Sequence, residues 1–321
     1  MEIWKNSGRK CAMNKPIFYM IMGLPCSGKS TFAQKLAEEY NANIHSSDAI
    51  REELIGDINN QEHNNEVFHT LHKRIKDDLR NGRSCIYDAC NISYKQRMAF
   101  LNELKNIPCE KQCMLMATPY EWCIERNTKR ERKVPEYVIK RMYMSFDVPW
   151  LYEGWDDIDV EYAPDSNGIY GMPRDWIEKV KNFNQDNSHH KLTLGEHCLQ
   201  ATIWFNKYAN ENHETHHTYM SQYAVMLHDC GKPFCKTFTN SKGEVTEQAH
   251  YYNHEHTGSY DYLFYDCNPN LRDATIVRCH MQPWFWEKDN NEKLHKKYKT
   301  LWGNDLYNDI MTLHISDIAA H

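Results

Sequence analysis

The chain has 321 residues, long for one compact domain and comfortable for two. Its formal net charge of −6 excludes a broadly basic nucleic-acid coat, so any contact with nucleic acid requires a local basic patch. No apolar run approaches the roughly 18–20 residues of a membrane span, and no long apolar region follows Lys5, Arg9 and Lys10; neither a spanning helix nor a signal peptide is expected. The twelve cysteines form no C-x-x-C pair and lie in apparent strands and helices (Cys85, Cys113, Cys198, Cys279), which points to a reduced, cytoplasmic setting. Of 18 histidines, four precede residue 150 (His45, His63, His69, His72) and 14 follow it, an asymmetry that suggests a separate chemistry in the second half.

Short apolar runs alternate with amphipathic stretches as far as about Met116. Strands are predicted at 16–22, 42–46, 84–88 and 112–117, and helices at 29–40, 48–55, 62–81, 94–106, 119–128 and 135–148. That alternation predicts an α/β domain with a parallel sheet over residues 1–150. Residues 151–187 are rich in turn formers and acids, including Gly154, Asp156, Asp157, Pro164, Gly168 and Pro173, and read as a linker. Beyond it helical periodicity dominates, in 194–208, 219–229 and 304–320, so an all-α domain is expected over 188–321.

The first chemistry-bearing motif is Gly23-Leu-Pro25-Cys-Ser27-Gly28-Lys29-Ser30-Thr31, which fits G-x-x-x-x-G-K-[ST] between a strand and a helix. Backbone N–H groups of such a loop, together with the following helix N-terminus, suit a phosphate chain. Lys29 would reach the β- and γ-phosphates of ATP, and the Ser30 hydroxyl would hold Mg²⁺. Asp48 starts a helix just after a strand, at the sheet rim, where a carboxylate can accept the proton of an attacking hydroxyl. Arg51, one turn on, can bind a phosphate bidentately. The strand at 84–88 ends in Asp88-Ala-Cys-Asn91, and residues 126–135 form a basic run before a proline that could close over the nucleotide.

Together, G-x-P-x-S-G-K-S-T (23–31), S-x-D-x-x-R (Asp48, Arg51), D-x-x-N (Asp88, Asn91) and R-N-x-K-R…V-P (126–135) resemble the P-loop 5′-hydroxyl polynucleotide kinase family of RNA-repair enzymes. The resemblance implies Asp48 as general base and Arg51, Asp88 and Asn91 on the substrate side. It also implies Arg126 and Arg130 on the ATP phosphates. Cys26 stands where that family usually has glycine, and Cys90 where it has threonine.

The second motif is His228-Asp229-Cys-Gly-Lys232-Pro, closing an apolar helical segment, with His197 before it and His254, His280 and Asp317 after it. Histidine and carboxylate ligands suit first-row divalent metals, and ligands from separate helices can converge inside a bundle. His250 and His256 compete with His254, while His213, His216, His217 and His295 read as solvated surface residues. Trp284-Phe285-Trp286 reads as core or packing rim, with base stacking on RNA as the alternative. The H…HD…H…H…D order is similar to the HD phosphohydrolase superfamily. That resemblance implies His197, His228, Asp229 and Asp317 on a first metal and His254 and His280 on a second (Mn²⁺, Ni²⁺, Co²⁺ or Fe²⁺), with Asp229 catalytic and Lys232 on a phosphate oxygen.

Joined, the resemblances imply a bifunctional RNA end-healing enzyme of a bacterial or phage-infected cell. It would phosphorylate 5′-hydroxyl ends and remove 2′,3′-cyclic, 2′- or 3′-phosphates from RNA or DNA, ahead of a separate ligase. Two other readings stand beside it: a small-molecule kinase joined to a nucleotidase, and a kinase whose HD half only senses ligands.

Overall fold

A computed structural model describes residues 15–188, 190–211, 219–288 and 291–320; His213, His216 and His217 lie outside them. The N-terminal half runs β1 (Ile17–Met22), α1 (Lys29–Tyr40), β2 (Asn43–Ser46), α2 (Ser47–Ile55), α3 (Asn64–Arg80), β3 (Cys85–Asp88), α4 (Tyr94–Glu103), β4 (Glu110–Ala117), α5 (Tyr120–Thr128), α6 (Glu136–Tyr143) and β5 (Asp157–Tyr162). The five strands form one sheet in the order β2-β3-β1-β4-β5, every neighbouring pair parallel.

Side-chain alternation along β1 explains the three layers. Tyr19 and Ile21 face one cluster with Ala33 and Leu36 of α1. Phe18, Met20 and Met22 face the other way, onto Val67, Leu71 and Ile75 of α3 and Phe100 and Leu101 of α4. A sheet covered on both faces needs apolar residues on both, which is why β1 reads as an unbroken run.

The second half continues with α7 (Pro173–Val180), α8 (Leu194–Glu211), α9 (Gln222–Met226), α10 (Lys232–Cys235), β6 (Thr237–Thr239), β7 (Val245–His250), α11 (His254–Asp261), α12 (Leu271–Cys279), α13 (Gln282–Lys288) and α14 (Glu292–Ile318). It is helical apart from the antiparallel β6–β7 ribbon, which the sequence reading did not anticipate. Helix α14 bends at Gly303, whose φ of 76° leaves the helical region. The bend lets one continuous segment pack Trp302 in the core and carry Asp317 to the neighbourhood of α8.

The stretch 151–187, read as a linker, is structured. Its β5 is the edge strand beside β4, and its α7 packs on α8. The alternating acids of Asp157-Ile-Asp-Val-Glu-Tyr162 suit a solvated edge strand, although their turn-rich surroundings mask it. One core cluster runs through both halves. No described helix is long and apolar enough to cross a membrane.

Candidate functional site

The first candidate site is the loop between β1 and α1, at the point where the sheet's order reverses direction. Gly28 has φ 100° and Cys26 has φ 66°, so the loop turns through two left-handed residues. A Cβ at Gly23 would stand 2.7 Å from Ser27 Oγ and 3.1 Å from the Met116 carbonyl, so the loop's first position has no room for a side chain. Lys29 is buried and donates to the Leu24 carbonyl at 2.6 Å across the loop. Ser27 Oγ is buried with no hydrogen-bond partner among the described residues. A pinched loop, a buried ammonium and an orphaned hydroxyl fit a polyphosphate.

Ser30 Oγ donates to Asp88 Oδ2 at 2.9 Å, which brings the end of β3 to the loop. Burial pushes the Asp88 carboxyl up, while the bond from Ser30 and the charge of Lys29 work against the rise. A hydroxyl and a carboxylate so placed match the pair that holds Mg²⁺ in phosphate-loop proteins. Asn91, with φ 49°, donates its side-chain amide to the Ile21 carbonyl at 2.8 Å and ties the segment after β3 to β1.

Across the rim, Asp48 Oδ1 accepts from Arg51 Nη1 at 3.0 Å and Asp48 Oδ2 from Arg132 Nη1 at 2.8 Å. Arg51 also donates to Asn64 Oδ1, while Arg132 holds Asn59 Oδ1 and the Ile58 carbonyl. The basic run is a closed loop. The Asn127 side chain donates to the Val134 carbonyl and accepts from its N–H, at 2.7 and 2.9 Å. From this loop Arg126 reaches the Cys26 carbonyl at 3.5 Å and Arg130 reaches Cys26 Sγ at 3.4 Å. Lys29, Ser30, Arg126 and Arg130 thus gather at one loop, with Asp48 and Arg51 on the facing rim. Arg132 was passed over in the sequence; its place two residues after Arg130 in the same run was the available signal.

The second candidate site collects all six expected ligands. His197 comes from α8, His228 and Asp229 from the turn after α9, His254 and His280 from the start of α11 and the end of α12, and Asp317 from the last turn of α14. Asp229 lies between two pairs of rings. Its Oδ2 is 3.3 Å from His228 Nε2 and 3.5 Å from His197 Nε2, and its Oδ1 is 3.2 Å from His254 Nε2 and 3.7 Å from His280 Nε2. Asp317 Oδ1 faces the first pair, 3.0 Å from His197. Within the pairs, the Nε2 atoms stand 3.3 Å apart (His197, His228) and 3.2 Å apart (His254, His280).

His228, His254 and His280 each place Nδ1 at 2.6–2.7 Å from the carbonyl three residues earlier, those of Val225, Tyr251 and Val277. That bond places the proton on Nδ1 and turns a lone pair at Nε2 toward its neighbours. Buried ring nitrogens and carboxylates facing one another need positive charge among them, from a shared proton or a metal cation, and this donor set fits a divalent metal. Burial works to lower the pKa of His228, but Asp229 and Asp317 outweigh it and raise it to about 10. Burial works to raise that of Asp229, but Lys232 and His228 hold it well below the ordinary carboxylate range.

Lys232 Nζ stands 2.7 Å from Asp229 Oδ2 and donates to Gln185 Oε1 at 2.9 Å. Gln185 is buried and comes from the turn-rich stretch, where no motif marked it. His250 bonds Thr246, and His256 lies against Phe146 and Asp147, so neither competes with His254. His295 contacts Tyr307 and stands in a T-shaped arrangement with Trp286 rather than in solvent alone. Trp284 and Phe285 are about half exposed, while Trp286 is core.

Residues 18–149 match the AAA domain family AAA_33. The chain is 32% identical over 156 residues to the L-seryl-tRNA(Sec) kinase of Methanococcus maripaludis, covering 44% of this chain and 56% of that protein. It is 28% identical over 156 residues to the transcription factor bHLH140 of Arabidopsis thaliana, covering 46% of this chain and 16% of that one. It thus spans about half or less of the curated relatives it matches. Among solved structures, a chain of the Pnkp1/Rnl/Hen1 RNA repair complex superposes with a TM-score of 0.36 at 22% identity, over 42% of this chain and 45% of that one. A gluconokinase from Sinorhizobium meliloti superposes with a TM-score of 0.35 at 15% identity, over 47% and 85%. Residues 18–149 carry the parallel-sheet fold of P-loop kinases and resemble them at the loop and its rim.

Proposed function

We propose that this chain heals nucleic-acid ends with two activities. The N-terminal half moves the γ-phosphoryl group of ATP onto a 5′-hydroxyl. The C-terminal half, from about residue 188, removes a 2′,3′-cyclic, 2′- or 3′-phosphate with a divalent metal. The observation that carries this reading is the presence, on one chain, of the Ser30–Asp88 pair at a phosphate loop and of Asp229 between two histidine pairs.

In the first reaction Lys29 neutralises the β- and γ-phosphates, and Ser30 with Asp88 would hold Mg²⁺. Asp48 accepts the proton of the attacking hydroxyl as the new P–O bond forms and ADP leaves. Arg51 binds a phosphate of the acceptor strand. Arg126 and Arg130 reach the transferring group from the closed loop. In the second site His197, His228 and Asp317 would hold one metal and His254 and His280 a second, with Asp229 available to either. The metals, when bound, supply Lewis-acid charge at phosphorus. Lys232 keeps Asp229 ionised and adds positive charge beside a phosphate oxygen. The likeness to a kinase named for seryl-tRNA supports an acceptor hydroxyl carried on RNA, and it leaves a group other than a 5′ end as the second reading.

The test follows both ends of one short RNA bearing a 5′-hydroxyl and a 2′,3′-cyclic phosphate, with labelled ATP and Mn²⁺ or Ni²⁺. Lys29→Ala should abolish 5′ labelling and keep 3′ processing; Asp229→Ala should abolish 3′ processing along with its bound metal and, at saturating ATP, keep 5′ labelling. If wild type labels seryl-tRNA or free nucleosides but no RNA end, the end-healing reading fails.

A further inference from the structure

The loop at 23–31 is braced from the other half of the chain. Thr118, buried just past the end of β4, donates Oγ1 to the Ser27 carbonyl at 3.0 Å. The Ser27 carbonyl and the Gly28 N–H belong to one planar peptide and point in opposite directions. Holding that carbonyl against Thr118 therefore aims the Gly28 N–H into the loop, between the left-handed residues Cys26 and Gly28. Thr118 is itself bracketed by Tyr260: the Tyr260 hydroxyl donates to the Thr118 carbonyl at 2.7 Å and accepts from its N–H at 3.2 Å. Tyr260 is fully buried against the rings of Tyr143, Phe146 and Phe264. It lies on α11, the same eight-residue helix whose first residue is His254, 3.2 Å from Asp229.

We propose that Tyr260 is a positioning residue for the nucleotide site, acting through Thr118 on the Ser27–Gly28 peptide, and that α11 thereby makes nucleotide affinity depend on the His254–Asp229 centre. The proposal rests on the reading of 23–31 as a nucleotide site. Coupling of this kind is reciprocal and needs no ligand to span both places. The helix is short and rigid, so a shift of His254 at one end is a shift of the Tyr260 hydroxyl at the other.

The experiment measures binding of ADP in excess Mg²⁺ by titration calorimetry. Tyr260→Phe and Thr118→Val each remove a hydroxyl while keeping the shape, and are expected to weaken ADP by about five- to tenfold, the worth of one lost hydrogen bond. Thr118→Ser, which keeps the hydroxyl, should bind within about twofold of wild type, separating positioning from a general loss of packing. Asp229→Asn should alter ADP affinity when Tyr260 is present and have no further effect in the Tyr260→Phe background, a non-additive cycle. If wild type binds ADP and both hydroxyl-less variants match it, the positioning role is overturned. If Asp229→Asn acts equally in both backgrounds, the coupling is overturned. If wild type binds no nucleotide, the nucleotide-site reading itself falls, a result distinct from either.

Discussion

Ser30 and Asp88, 58 positions apart, meet through a hydroxyl-to-carboxylate hydrogen bond of 2.9 Å. The contact joins α1 to the end of β3 and sets Asp88 beside the loop serine expected to hold Mg²⁺, while the D-x-x-N resemblance implies the substrate side. Asn91, the other half of that motif, spends its amide on the β1 backbone.

Asp88→Asn is therefore expected to lower phosphoryl transfer by roughly 10²–10³, the usual cost of one preorganised electrostatic partner. Burial pushes the Asp88 carboxyl up, so in wild type the ionised form is lost at a higher pH than for an ordinary aspartate. Transfer should fall as pH drops through that raised value. The rate measured against pH and Mg²⁺ concentration checks both; an Asn variant with wild-type Mg²⁺ dependence would remove Asp88 from the metal.

Arg97 and Glu153 form an ion pair with both side chains fully buried, and Arg97 also donates to the carbonyls of Asn91, Asp147 and Val148. Arg97→Ala leaves a buried carboxylate without its partner and should cost about 3–5 kcal/mol in urea unfolding. Arg97→Lys should recover little, because an ammonium cannot reproduce the guanidinium fork.

A Cβ at Gly231 would meet the His254 carbonyl at 2.1 Å and Thr257 Oγ1 at 2.2 Å. The glycine of H-D-x-G-K thus permits α11 to approach the His228–Asp229 turn. Gly231→Ala should destabilise by about 3 kcal/mol, the upper end of overpacking costs, and should lower bound metal by displacing His254. Unfolding and metal analysis of the same preparation give both numbers.

Asp261 is partly buried, accepts from the Tyr143 hydroxyl at 2.5 Å, and desolvation pushes its carboxyl up to about 8. The folded chain therefore holds a proton there that the unfolded chain releases near its ordinary value. Stability from this group is complete in acid, declines as pH rises, and is lost above about 8. Asp261→Asn should flatten the fall in melting temperature between pH 5 and 8, and an unchanged slope would contradict the assignment.

The strands and helices around the phosphate loop were legible because β1 is an unbroken apolar run ended by Gly23, and α1 begins where the motif ends. The six residues that converge at the second candidate site were legible by residue type and order. What escaped was set by chain path rather than composition. β5 alternates acids along a wet edge, and the β6–β7 ribbon has solvent on much of both faces, so neither leaves an apolar signature. Gln185 and Thr118 act through loop trajectories that no spacing rule encodes.

β5 also decides where this chain can be divided. The outermost strand of the N-terminal sheet is supplied by Asp157–Tyr162, so a fragment ending at residue 150 would leave β4 with an unpaired backbone edge, a template for aggregation. A fragment carried through Tyr162 would keep its sheet but strip Tyr143 and Thr118 of the buried groups they meet in the other half. The seam between the two chemistries is a surface in space, with no matching point along the polypeptide. Disabling one candidate site while keeping the other therefore calls for substitution within the intact chain.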